Sequence, residues 1–502
     1  MERFFEQNRN KLHYDLEFLL PGKNVCWLGE AEKYRLDKYN FARIEFELDP
    51  DDAVRNIFPK GLLDLRDYHQ FADCSRLLAY PRLLTLKTVD MVMGDPPSFF
   101  INDDHEKTNK LKDMLIRSNF YEVLRMALID YSRFGTAVLR VFKCPVTHKA
   151  SIAAWDPGEW VPVFYPDGTK RIHYNVLGWR ESDTTMKIQI HNVEDGSYEE
   201  RVYRTDDVGT LLEILSATTY SGFGHPLVYA LINTPTSTNP FGQSDYASIN
   251  ALLQKAIERL TAILRVLDEH ADPCMTGPHS LLSNNENGEL VFKTSKYYAV
   301  GQDEKEPKYI TWDANLDSSF KAFDILCQQI YIMSEMGQAY LGVEGGTGNV
   351  VSSSAMRFKM ITALDKARRI ENAIEDELKD VLKTMLALEN TDVDLTQFRV
   401  VWKDSLPKDP TSTATLARLE AGVTSVKPLL HVLMDSYNLD EETAKSWIEE
   451  IRKQNEFTTP NKTTGNVSET GEVDGRTKSL GSQFRSTESP MNPGNSENVD
   501  EK

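Results

Sequence analysis

The hydrophobic period changes at Gly135 and reverts at Ala247, and no other property of the sequence limits the fold so tightly. Before Gly135, apolar residues recur at helical spacing. Tyr68 to Pro97 reads as a helix stopped by Gly-Asp-Pro-Pro, and Lys107 to Phe134 reads as a second one through Leu111, Met114, Leu115, Phe120, Leu124, Leu128 and Tyr131. After Gly135 the segments AVLRVFKC, ASIAAW, WVPVFYP, RIHYNVLGWRE, KIQIHNVEDG, YEERVYRT and GTLLEI are short, rich in Val, Ile, Tyr and Trp, and mostly separated by Asp, Gly or Pro. That pattern predicts an antiparallel meander. A single sheet or bundle cannot satisfy both periods, so the chain must be a mixed α+β protein, and 502 residues are enough for several compact units.

Helical spacing returns from Ala247 to His270, predicting a helix of roughly 36 Å. Strand and turn signals from Met275 to Trp312 then form an insertion. A further helix runs through Phe320, Phe323, Cys327, Ile330, Met333, Gly337 and Tyr340 and breaks at the glycine-rich segment Gly342, Val343, Glu344, Gly345, Gly346, Thr347, Gly348, Asn349, Val350. The serines 352–354 are N-cap candidates for a helix reaching about Glu389, roughly 55 Å long. A strand at Phe398 to Lys403 precedes helices expected at Ser412 to Ala421, Ser425 to Ser436 and Asp440 to Asn455. Beyond Phe457 the composition predicts a disordered tail.

Chemistry-bearing patterns are thin. The glycine segment lacks the Lys-Ser/Thr of a phosphate loop and follows a helix rather than a strand, so it predicts no nucleotide site. There is no HExxH, GxSxG or calcium-loop spacing. Ten scattered histidines and five cysteines without a CxxC pair indicate neither zinc nor a disulfide framework, and no cofactor is expected. The acidic pairs Asp51-Asp52 and Asp206-Asp207 read as surface turns, and Trp155, Trp160, Phe164, Tyr165 and Trp179 as a half-buried sheet face. No signal peptide or membrane span is expected.

A net charge of −19 excludes a protein that grips DNA by bulk positive charge but suits a surface that DNA slides past. Locally, no Lys or Arg occurs between Lys321 and Arg357, while Asp324, Glu335 and Glu344 are acidic. Repeated around a ring, a glycine-rich segment without cations becomes a low-friction collar; taken singly, it is an exposed linker between helices. On the helix from Ala247, the spacing of Lys255 and Arg259 puts both on one face, with Arg265 further on. These suit subunit contacts better than DNA contacts.

Taken in order, the modules resemble the portal family of tailed double-stranded DNA phages, siphophage type, from about Tyr68 to Phe457. The resemblance rests on LLAYPRLLTLKTVDMVMGDPP, ALIDYSRFGTAVLRVF, IAAWDPGEWVPVFYPDGTKRI and LPKDPTSTATLARLEAGVTSVKPLL. It implies a multi-domain portal fold: an N-terminal segment and wing of helices plus antiparallel sheet (1–246), stem helices (247–271 and 318–341), a small α/β clip (272–317), a tunnel loop (342–352), a long kinked helix with a return strand (353–410), an all-α crown (411–457) and a tail (458–502). It also implies a non-enzymatic ring of about twelve subunits at one capsid vertex. Its partners would be double-stranded DNA, the large terminase subunit, a head-tail adaptor, and the major capsid and scaffolding proteins. Lys255, Arg259, Arg265 and Lys321 would line the channel or the intersubunit contact. The first sixty residues match nothing in the family. The competing readings are a nucleic-acid-processing enzyme with an unrecognised site and a helical adaptor without a channel.

Overall fold

The computed structural model describes residues 12–14, 16, 30–47, 74, 77–102, 104–206, 211–271, 275–276, 282–284, 290–292, 308–309, 316–341, 358–403, 434 and 441–458. The chain divides into two compact units, Met1–Lys408 and Asp409–Lys502. Helices α1 (Glu30–Glu47) and α2 (Tyr80–Met93) come first, followed by strand β1 (Ser98–Ile101) and helices α3 (His105–Arg117) and α4 (Phe120–Phe134). The single helix expected from Lys107 to Phe134 is therefore two. Asn119 between them adopts φ 53°, a left-handed conformation that Asn tolerates better than most residues. The apolar spacing ran on across the break because both helices bury Leu111, Met114, Phe120, Leu124 and Leu128 in the same core. Helix α3 starts where its local chemistry says it should: the Asp104 carboxylate accepts from Lys107 N at 2.9 Å. The helix expected from Tyr68 to Pro97 is also interrupted: Cys74 and Leu77 are helical, Leu78 turns, and α2 begins at Tyr80; 68–73 lie outside the described residues.

The predicted meander divides into two antiparallel sheets. Strands β2 (Thr136–Lys143) and β3 (Ala150–Trp155) form a three-stranded sheet with β9 (Val228–Ile232), in the order β3-β2-β9. Strands β4 (Trp160–Phe164), β5 (Ile172–Arg180), β6 (Thr185–Glu194), β7 (Ser197–Asp206) and β8 (Leu211–Tyr220) follow one another across the second sheet. Strand β9, which the sequence reading passed over, returns to pair with β2 from Thr136↔Ile232 to Arg140↔Val228. The two sheets share a core of Val138, Trp160, Phe164, Leu177, Val228 and Phe241. Trp160 and Phe164 are thus packing residues, as the sheet-face reading expected.

Helix α5 (Asn250–Ala271) is followed by short paired strands: β10 (Met275–Thr276) with β13 (Lys308–Tyr309), and β11 (Leu282–Asn284) with β12 (Leu290–Phe292). Helices α6 (Asp317–Met333) and α7 (Gly337–Tyr340) come next. The long helix α8 (Ile361–Leu388) buries Ala363, Ala367, Ile370, Ile374, Leu378, Val381 and Met385 against α2 and the three-stranded sheet. Its 28 residues correspond to about 42 Å, less than expected. The chain is helical at Phe358 and Lys359 but turns at Met360, and serines 352–354 lie outside the described residues. Strand β14 (Phe398–Val401) pairs with β1, a partner the sequence reading did not anticipate, with Ile101 opposite Phe398. In the second unit, helix α9 (Glu441–Thr458) buries Ala444 and Ile448, four residues apart. The other expected helices of that unit, at Ser412 to Ala421 and Ser425 to Ser436, and the tail lie outside the described residues.

Helix α1 falls in the segment that the sequence reading left unassigned. Arg35, almost fully buried, bonds Glu32 at 2.7 Å and donates to the carbonyls of Pro157 and Trp160, each at 2.9 Å. Arg43 pairs with Asp156, whose carboxylate also accepts from Gly158 N at 2.8 Å. The helix is fastened to the sheet by charged groups that reach backbone acceptors, which compensates the cost of burying them.

Candidate functional site

The glycine-rich segment from Gly342 to Val350 lies outside the described residues, as do residues 351–357; the described chain before it, to Leu341, and after it, from Phe358, comes together at one joint. Helices α5 and α6 pack along each other, with Ser248 Oγ donating to Met333 O at 3.2 Å. The start of α5 therefore stands beside the end of α6, and the two run antiparallel. The second helix, expected to be continuous from 318 to 341, is interrupted. Ser334 ends α6, Glu335 takes φ 62° and Gly337 φ 70°, and α7 begins a new direction. Non-glycine residues resist positive φ, so other contacts must hold Glu335 there. Its carboxylate pairs with Arg369 of α8.

A buried ion pair lies at this joint. Lys366 Nζ stands 3.1 Å from Asp245 Oδ2 and donates to Ser334 O at 3.4 Å. Asp245 also accepts from Ser132 Oγ at 2.7 Å and from Asn233 Nδ2 at 3.0 Å. Four parts of the chain are thereby tied together: the end of α4, the loop after β9, the break after α6 and the first turns of α8. A buried pair is tolerated when its remaining bonds are satisfied, as here. Nearby, Tyr340 donates to Lys87 O at 3.1 Å, and burial holds its phenol protonated with a pKa pushed up to about 12. The hydroxyls of Tyr80 and Tyr331 bond at 2.9 Å.

On the far side, a side chain at Gly337 would come within 3.8 Å of Lys359 O and 3.6 Å of Thr362 Oγ1. The chain therefore departs after Leu341 and returns at Phe358 from a single anchored neighbourhood. Helix α5 buries Leu253, Ala256, Ile257 and Ile263 and exposes Lys255, Arg259 and Arg265; Lys321 of α6 is exposed as well. Lys255 bonds Glu258 within its own helix at 2.7 Å. The four cations stand on described helices, and no contact joins them to the polar joint. The sequence reading missed Asp245 and Lys366. The available signal was a lysine three residues after Ala363 and four before Ile370, on the apolar stripe itself.

Among the described residues no group of His, Cys, Asp and Glu is arranged to hold a metal ion, and no helix is long and apolar enough to cross a membrane. The profile of the family described as phage portal protein, SPP1 Gp6-like, matches residues 69–456, well over half of the chain. The chain belongs to that family. Portal proteins are structural rather than enzymatic. The matched span begins after α1, so that helix lies outside it, whereas the groups it is fastened to, Asp156, Pro157 and Trp160, lie within it. No curated protein sequence matches significantly. Among solved structures, the chain is similar to one from the virion of a native gene transfer agent particle, at 12% identity and TM-score 0.44, covering 79% of this chain and 93% of that one. It is also similar to one from the neck of the native particle computed with C12 symmetry, at 11% identity and TM-score 0.42, covering 71% and 89%.

Proposed function

We propose that this portal protein forms a ring of about twelve subunits at one vertex of a phage capsid, and that double-stranded DNA passes through the ring during packaging and ejection. The ring is also the docking platform for the large terminase subunit and the head-tail adaptor, and it contacts the major capsid and scaffolding proteins. In this reading 1–246 is the N-terminal segment and wing, α5 and α6 are the stem, 272–317 is the clip, 342–352 is the tunnel loop, 353–410 carries the long helix and return strand, and 411–457 is the crown.

The observation that carries the reading is the joint described above. The described chain on either side of the glycine-rich segment, up to Leu341 and from Phe358, lies about one joint, which the Lys366–Asp245 pair and the Tyr340 hydrogen bond to Lys87 O hold together. Such an anchor suits a loop presented repeatedly toward a common axis, where freedom at the tip and fixity at the root are both needed. Helix α6 supports assembly, because Ile325 and Ile332, seven residues apart on one face, are 57% and 65% exposed. Apolar side chains so placed fit a neighbouring subunit. Energy for DNA movement comes from a separate ATPase, since the chain carries no phosphate-binding loop. Deleting Gly345 to Asn349 tests the assignment: rings should still assemble while packaged DNA per particle falls sharply. Unchanged packaging would contradict a channel role for the segment.

A further inference from the structure

The five-stranded sheet has two edges, and among the described residues only one of them is closed. At the β4 edge, Phe164 N donates to His13 O at 2.8 Å, His13 forms a parallel bridge with Val163, and Pro162 has no N–H to offer. At the opposite edge lies β8, ten residues long, and among the described residues nothing pairs with its outer side. Natural sheets blunt such edges with lysine, proline, short strands, β-bulges or a covering segment, because a row of unpaired N–H and C=O groups templates another strand; β8 carries bulges in its first half alone. Strand β8, LLEILSATTY, contains neither lysine nor proline. Its one charge, Glu213, is neutralised by Arg204 at 2.9 Å. Register shifts are confined to its first half, whereas Ser216 to Tyr220 pair one to one with Val202 to Tyr198. Leu212 and Ile214 are 55% and 61% exposed, and eight of its ten residues face solvent.

We infer that β8 is a strand-accepting edge whose occupant is an extended, uncharged segment of a different polypeptide, rich in β-branched or aromatic residues, added as a sixth strand. The absence of net charge along the edge selects against a charged peptide, while the open backbone specifies a strand rather than a helix. Setting aside the five-stranded sheet of a second copy of this chain rests on the ring reading. Neighbours in a cyclic ring meet through two different surfaces, and the β4 edge of a neighbour is closed by Pro162 and His13. Pairing of β8 with β8 is two-fold and self-complementary, which a cyclic ring does not use between adjacent subunits.

The test uses the full-length protein and a capped fluorescent peptide of about eight alternating Thr and Val residues, with the same peptide N-methylated at alternate amides as control. The expected result is binding of the plain peptide, at least about tenfold weaker binding of the methylated one, and new amide-exchange protection within 216–220. A217K/T219K, which charges the edge without altering backbone donors, should lose binding to a similar degree while ring formation persists. Ring particles that ignore the peptide at about 1 mM, or bind both peptides alike, overturn the inference and leave the ring reading intact. A change in subunit number on charging the edge overturns it too, since a second copy would then be the occupant. Protein that binds the peptide as a stable monomer removes the ring reading, and the assignment to a different polypeptide falls with it.

Discussion

Two side chains that face each other in the interior, Lys366 and Asp245, hold more of this fold's geometry than any motif visible in the sequence. Removing one member of a satisfied buried pair leaves the other charge stranded, at a cost of about 3–5 kcal/mol. Lys366→Met should therefore lower unfolding free energy by that order in chemical denaturation. A loss below about 1 kcal/mol would mean the pair behaves as an exposed one. A second residue-scale expectation concerns Glu45 of α1, whose buried carboxyl has its pKa raised from 4.5 to about 8 by desolvation. The folded state holds a proton that the unfolded chain releases near 4.5, so this contribution is fully present below that pH and is lost as pH rises through about 8. Glu45→Gln should flatten the decline of stability across that window, seen in thermal melts at a series of pH values; an unaltered profile would assign the decline elsewhere. None of Lys366, Asp245 and Glu45 was legible beforehand. Burial of a single charge depends on what packs against it, and a chain read in isolation shows only that Lys366 sits on an apolar stripe.

At the scale of elements, legibility followed periodicity. The helical runs that became α5 and α8 and the strands from β2 to β8 were visible because burial on one face imposes a regular spacing of apolar residues. The break at Asn119 was invisible because both flanking helices bury into one core, and α1 was invisible because its fastening is charged and irregular. Strand β14 was expected, but its partner β1 was not, since register between strands roughly three hundred residues apart leaves no local trace. Gly135 was legible and is demanding: it caps α4 at φ 81°, and a Cβ there would meet Gln243 C at 2.5 Å. Gly135→Ala should cost at least about 1–3 kcal/mol from backbone strain alone, with the clash adding to it, read as a lowered denaturation midpoint. An unchanged midpoint would show that the loop around Gln243 gives way freely.

For the whole molecule, the sequence pointed to the family before any contact was known. It did not carry the joint that makes the glycine-rich segment intelligible, because Asp245, Ser334 and Lys366 are separated by long stretches of chain. In the ring proposed above, the exposed Ile325 and Ile332 and the exposed cations of α5 would face a neighbouring subunit. Particle-averaged electron microscopy of the purified protein at micromolar concentration decides whether that ring forms. Closed rings with a central opening and about twelve subunits are expected. A homogeneous population of monomers under those conditions, or an open filament without a central hole, would be incompatible with a portal ring.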